Sequence, residues 1–321
     1  ILPWINFGTN TYGKARVCGY SSETSDVWDF NSKYFKDIRN SFLKNEWPKN
    51  CKRCRHVEEL GGTSKRMDEN HMWYDKFKHL IGKEVNYYPP HLDVRTGTIC
   101  NFKCIHCGPA SSSKWMEDYD LIRSFGYNFP PVDDKWITQE NVFWDSLDIS
   151  QIKRYNFLGG ESFYNKRHNE FIKRLNESEY AKDVEIAYVS NGSLRFENME
   201  NFKKVRLRLS VDCIREAGEY FRYGLNWNDW CNNIRNFPSN FDVSFQWTCS
   251  NVSMFYLKDT YTYMRNEFSN IRFLFENHVT EPYHMSAQNL PIKIKEKIQK
   301  DIEFIEMPDF YVNYMKEKDV W

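Results

Sequence analysis

The 321-residue chain lacks a net charge, with Lys+Arg and Asp+Glu at 44 each. A balanced chain has no global pull toward nucleic acid or an anionic membrane, so such contacts would need a local patch. It also lacks any apolar run near the roughly 20 residues that span a bilayer. Ile1-Leu2-Pro3-Trp4 has neither the basic nor the apolar region of a secretory leader. An even set of cysteines is missing too: there are nine, six of them in two clusters. That pattern excludes a secreted disulfide framework and points to metal ligation in a reducing, cytoplasmic setting. What is plentiful is apolar and aromatic residues, 41% and 17%. They suffice for one large α/β domain, or a large domain with a small one.

The most informative stretch runs from Thr98 to Gly108 and carries Cys100, Cys104 and Cys107. Three thiolates at C-x3-C-x2-C spacing on one loop supply soft ligands for three irons of an iron–sulfur cube, leaving the fourth iron open. A structural zinc site would instead ask for four closed ligands.

The first ninety residues hold a second cysteine set. Pro3–Phe7 and Thr11–Cys18 read as a β-hairpin with Cys18 closing its second strand, and Phe35, Ile38 and Phe42 give helical spacing over residues 31–45. Cys51-Lys52-Arg53-Cys54 follows among Lys49 and Arg55, a basic setting expected to lower the thiol pKa values. Cys18, Cys51 and Cys54, with His56 as a candidate fourth ligand, suit zinc, an iron–sulfur cluster or unmetallated thiols.

From residue 91 onward apolar strands alternate with helical stretches, the mark of βαβ units. Strands are expected at 91–96, 154–158, 184–190, 205–212, 242–248 and 270–276. Helices are expected near 110–125, through Phe143 and Leu147, and at 290–306. The second strand ends in Gly159-Gly160-Glu161, where glycines admit a ligand to the backbone and a carboxylate can receive an ammonium group. Ser190-Asn191, Ser210, Asp212, Gln246 and Thr248 fall at later strand ends, where barrels bind ligands. Arg222 lies ten residues after Asp212. Its other reading is a surface ion pair, and Asp212 could instead cap the next helix. His278, Glu281 and His284 follow the last strand, and the aromatic tail Phe310–Trp321 could cover an opening.

These motifs resemble the radical S-adenosylmethionine (radical SAM) superfamily, with His106 in the place of its usual aromatic. The resemblance implies a partial (β/α)6 TIM-type barrel over residues 91–321 with a small N-terminal α+β cysteine module over 1–90. That module, through Glu59, Gly62, Ser64 and Arg66, is similar to twitch or SPASM-like auxiliary-cluster modules. It implies a [4Fe-4S] cluster on Cys100, Cys104 and Cys107, and S-adenosylmethionine cleaved to a 5′-deoxyadenosyl radical. It also implies a second iron–sulfur cluster or zinc on the N-terminal cysteines. Phe102, His106, Gly159, Gly160, Glu161, Ser190, Asn191, Ser210, Asp212, Arg222, Gln246 and Thr248 become the implied cofactor residues, Glu161 taking the methionine amino group and Arg222 its carboxylate. A reductant such as flavodoxin or ferredoxin is implied. The implied substrate is a peptide or protein side chain. A nucleotide or nucleic-acid base, met by the basic patch at Cys51, is the alternative, and a non-catalytic iron–sulfur or zinc protein is the third reading. No membrane partner is expected.

Overall fold

The computed structural model describes residues 1–59, 61–127, 131–140, 142–280 and 282–305. Its strands are β1 (Asn6–Thr9), β2 (Ala15–Arg16), β3 (His91–Arg95), β4 (Lys103–Cys104), β5 (Arg154–Leu158), β6 (Glu185–Ser190), β7 (Lys204–Val211), β8 (Arg222–Tyr223), β9 (Asp242–Cys249) and β10 (Arg272–His278). The helices used below are α1 (Leu2–Ile5), α2 (Lys33–Leu43), α3 (Lys52–Glu59), α4 (Lys65–Phe77), α5 (Tyr119–Ser124), α6 (Lys135–Thr138), α7 (Lys166–Asn176), α8 (Arg215–Phe221), α9 (Trp227–Arg235), α10 (Leu257–Glu267) and α11 (Ile292–Phe304). All six expected barrel strands are present, and the fold is α/β with mostly parallel strands. No helix among the described residues is long and apolar enough to cross a membrane.

The chain forms two compact units that interleave in sequence. The first comprises Ile1–Thr98, Val132–Ala187 and Asn198–Lys203. Within it, β1 pairs parallel with β3 and antiparallel with β2, and β3 pairs parallel with β5. The register gives this sheet two faces, because side chains alternate along a strand. Phe7, Leu92 and Tyr155 are aligned, and Val94 is aligned with Phe157, all buried. Phe35 of α2 stacks on Phe7, and Phe171 of α7 meets Tyr155 edge-on. The opposite face is polar: Asn6, His91 and Arg154 form one row, Gly8, Asp93 and Asn156 the next. β1 is hydrogen-bonded to β3, so residues on either side of the expected boundary at 90 share one sheet.

The second unit comprises Ile99–Pro131, Tyr188–Glu197 and the chain from Lys204 onward. Here β7, β9 and β10 run parallel, with Leu209 opposite Phe245 and Val211 opposite Trp247. Trp230 of α9 packs against Phe245, while Leu257 and Met264 of α10 are buried. Cys213, Cys231 and Cys249 are buried thiols.

Four local expectations are corrected. Pro3 opens helix α1 instead of a strand, since its fixed φ and missing N–H suit a first helical turn. β2 stops at Arg16, so Cys18 lies in the turn after it. The expected helix through Phe143 and Leu147 shrinks to one 3-10 turn, Trp144–Ser146, where Trp144 donates to the Ile137 carbonyl and packs on Phe171. His278 lies within β10 and not after it. Glu281 and the tail Phe310–Trp321 lie outside the described residues.

Candidate metal and cofactor site

In the second unit the cysteine loop closes on itself. Cys100 and Cys104 are buried with Phe102, and Cys107 packs against them. The backbone is pinned at several points: Cys107 N–H donates to the Cys104 carbonyl (3.0 Å), Trp115 Nε1 donates to the same carbonyl (3.1 Å), and Ser112 Oγ donates to the Phe102 carbonyl (2.6 Å). Asn101 donates to Ser193 Oγ and accepts from Asn191 Nδ2, each at 2.9 Å. Asn191 in turn takes both Ser193 donors on its own Oδ1. Asn101 and Ser193 carry no signal in sequence, because the bonds that define them span about ninety residues.

β4 pairs antiparallel with β8, which sets Cys104 opposite Arg222. Gly224 follows with φ +108°, and a Cβ there would meet the Asn101 carbonyl at 3.0 Å, so only glycine fits. Arg222 is 6% exposed and its Nε lies 2.6 Å from Asp212 Oδ2. Neither alternative reading holds: Arg222 is no surface pair, and Ile214 is the residue that precedes α8. Burial opposes the Arg222 charge, but Asp212 and the Cys104 thiol hold its pKa above the ordinary guanidinium value. The Cys104 thiol is pushed well up by its hydrogen bond with Cys107 and by burial, and the same bond brings Cys107 down. The donor atoms of Cys104, His106 and Cys107 lie within 4.8 Å of one another, and His106 Nδ1 is buried without a hydrogen-bond partner among the described residues. Ser210 and Gln246 are aligned across β7 and β9, both half-buried. Buried Thr248 accepts from Asn277, a residue sequence reasoning passed over. Ser190 Oγ accepts from Gly192 N–H.

In the first unit the end of β3 is locked by Asp134, which accepts from Thr98 N–H (2.9 Å) and Thr98 Oγ1 (2.6 Å). Gly97 lies between, at φ +79°, where a Cβ would be 2.3 Å from Asp134 Oδ1. Gly159 and Gly160 both have positive φ. Glu161 is 1% exposed and caps the following 3-10 turn through Phe163 N–H.

Cys18, Cys51 and Cys54 line one cavity of about 210 Å³, together with Lys65 and Arg66. The basic setting does not lower the Cys51 pKa as expected. Burial pushes Cys18 up, and burial with the neighbouring Cys18 and Cys54 pushes Cys51 up to about 12. The reason is where the charges go: Lys49, Lys52, Arg53 and Arg55 are exposed, Arg53 stacks on Tyr20 and Arg55 pairs with Glu59. His56 is exposed on α3 and is not among the lining residues. Arg66 and Ser64 close on Glu58.

Three soft thiols on one buried patch, with no fourth cysteine in the loop, fit an iron–sulfur cube with an open iron. Comparison with known proteins agrees. The family model described as the radical SAM superfamily matches residues 94–265, just over half of the chain. The chain belongs to the radical SAM superfamily, a class of enzymes whose fold binds a [4Fe-4S] cluster and S-adenosylmethionine. Among curated proteins it is similar to the GTP 3′,8-cyclase of Campylobacter lari, 28% identical over 121 residues, 36% of this chain and 33% of that protein. It is similar to the GTP 3′,8-cyclase of Nautilia profundicola, 24% identical over 148 residues, 45% of this chain and 39% of that protein. The matches thus span under two fifths of those relatives' length. A solved structure described as "Native anSMEcpe with bound AdoMet and Cp18Cys peptide" aligns with TM-score 0.45 and 18% identity, covering 70% of this chain and 62% of that one.

Proposed function

We propose that the chain abstracts hydrogen from a substrate, with Cys100, Cys104 and Cys107 holding three irons of a [4Fe-4S] cluster and the open iron taking S-adenosylmethionine. The observation that carries this reading is the single buried patch of Cys100, Phe102, Cys104 and Cys107 beside the Asp212–Arg222 pair. When bound, the cluster and S-adenosylmethionine supply a 5′-deoxyadenosyl radical. The chain's own residues bind, orient and exclude water. Phe102 and His106 wall the thiolates, Gly159-Gly160 open the backbone to a ligand, and Glu161 receives an ammonium group. Arg222, oriented by Asp212, faces a carboxylate, and Ser190, Asn191, Ser210, Gln246 and Thr248 hold the rest of the cofactor. Flavodoxin or ferredoxin is the reductant class.

Residues 1–90 form the cysteine module in this reading, and Cys18, Cys51 and Cys54 hold zinc or a second iron–sulfur cluster. Their shared cavity supports it. The substrate is then a peptide or protein side chain, the class that goes with an auxiliary site. A second reading, a nucleotide, is favoured by the curated relatives named GTP 3′,8-cyclase. The test is anaerobic reconstitution with iron and sulfide, then S-adenosylmethionine and dithionite. Deoxyadenosine with roughly four irons per chain supports the cluster alone, and roughly eight adds the second cluster. Zinc without iron, and no deoxyadenosine, would overturn the reading.

A further inference from the structure

The polar face of the first unit's sheet carries two guanidiniums that no ion pair engages among the described residues. Arg16 on β2 is 6% exposed. Its Nη1 donates to the Gly19 carbonyl at 3.1 Å, while Nε and Nη2 have no partner among the described residues. Arg95 ends β3, half-buried, and no hydrogen bond or ion pair engages its guanidinium among the described residues. The register puts both on one face. Gly8 is aligned with Arg16 on one side and Asp93 on the other, and Arg95 follows Asp93 by two residues. A Cβ on Gly8 would come within 3.0 Å of the Asp93 carbonyl and 3.3 Å of the Arg16 carbonyl, so glycine is what lets the Arg16 and Asp93 strands close on β1 there. Gly159 abuts Arg95 from the next strand, its Cβ position 3.4 Å from Arg95 Cβ. Burial and Arg16 lower the Arg95 pKa, and Asp93 opposes them. Asp93 is the carboxylate that acts on Arg95, and it is already an acceptor for Asn156 Nδ2 at 3.4 Å. One buried and one half-buried guanidinium against one carboxylate leave an excess positive charge, and guanidinium N–H forks match the oxygens of an oxyanion. Buried charge without a partner is unfavourable, so the arrangement suits a ligand that completes it.

We propose that Arg16 and Arg95 form a binding site for an oxyanion group of the substrate, a carboxylate or a phosphate, on the polar sheet face beside Gly159. This deepens the proposed function and rests on its reading of the strand ends as the ligand-binding side. The two substrate classes supply the two anions, so the site also separates them.

The test is calorimetric titration of the full reconstituted chain at fixed ionic strength, with inorganic phosphate in one arm and succinate in the other. One site per chain is expected, with affinity falling at least tenfold in Arg95→Gln and in Arg16→Gln. Arg95→Lys, which keeps the charge, should recover part of it if the deeper Arg16 variant fails to fold. Arg272→Gln, which loses only a surface pair with Asp242, should bind as the parent does. Tighter phosphate binding assigns a phosphorylated substrate, and tighter succinate binding a carboxylate one. No binding of either probe, or binding that Arg95→Gln retains, would overturn the proposal. So would binding abolished by saturating S-adenosylmethionine, which would give the arginines to that cofactor's own carboxylate. Loss of iron loading and deoxyadenosine with phosphate binding intact would instead overturn the radical reading and leave the anion site standing.

Discussion

The chain carries two groups of three cysteines, and they are built in opposite ways. Cys100, Cys104 and Cys107 come from one short loop, share one buried patch, and have the buried Arg222 charge beside them. Cys18, Cys51 and Cys54 come from two places in the sequence and line a cavity instead of a patch. The basic residues next to Cys51 and Cys54 in sequence point to solvent, and burial outweighs Arg66 in the cavity wall, so the Cys51 thiol is held up to about 12. The Cys107 thiol is eased toward thiolate, whereas Cys18 and Cys51 are both held up. Nearby basic residues in sequence therefore say little about a thiol until the direction of each side chain is known.

The sharpest way to break this comparison is to remove a ligand from the loop. Cys100→Ala should lose essentially all cluster iron and all deoxyadenosine formation, read by iron content and chromatography. Next comes the charge pair that distinguishes the loop's surroundings. Asp212→Asn leaves Arg222 buried against a neutral amide and should cost about 3–5 kcal/mol in denaturant unfolding. Replacing both residues with apolar ones should cost much less, because no charge is then stranded.

Acid separates the units in another way. In the first unit, burial and the charges of Arg154 and Lys76 lower the His91 pKa to about 3, and burial lowers that of His168 to about 4. Both folded values lie below the ordinary histidine value, so the neutral form is the one the fold favours. Their stabilisation is complete above about pH 6.5 and is lost as pH falls from there toward 4 and 3. For His168, fully buried among Trp144, Phe157 and Phe163, the loss is about 3 kcal/mol. His168→Phe should flatten the unfolding midpoint against pH across that window. A curve as steep as the parent's would show that His168 is not the group titrating. The smallest effect is expected at the cavity. Cys51→Ser should remove any metal that the cavity takes up while about four irons remain in the chain, counted by elemental analysis. A drop to no iron at all would mean that the two groups are not independent.

How far the sequence carried the reading depended on the range of each interaction. The six barrel strands were legible because apolar and β-branched runs such as Val205–Val211 report their own burial. Helix Lys33–Leu43 was legible from the spacing of Phe35 and Ile38, both buried. The cysteine loop was legible because its ligands are adjacent in sequence. The parallel pairing of β1 with β3 was not, since partners such as Asn6 and His91 lie 85 residues apart. Nor was the lock of Thr98 on Asp134, a residue that reads as ordinary loop. Arg222 and Asp212 were both singled out, but only the fold makes them each other's partner. Pro3 misled because an aromatic, β-branched stretch favours a strand while proline in a first turn favours a helix, and here the local backbone constraint decided.

The central claim is that Cys100, Cys104 and Cys107 leave one iron open to S-adenosylmethionine. Electron paramagnetic resonance of the reconstituted, dithionite-reduced chain tests it most directly, with a Cys18→Ala, Cys51→Ala, Cys54→Ala background to remove any second cluster. The account predicts a reduced-cluster signal whose shape changes when S-adenosylmethionine is added. A cluster signal that the cofactor leaves unaltered, or zinc bound in place of iron, would contradict it.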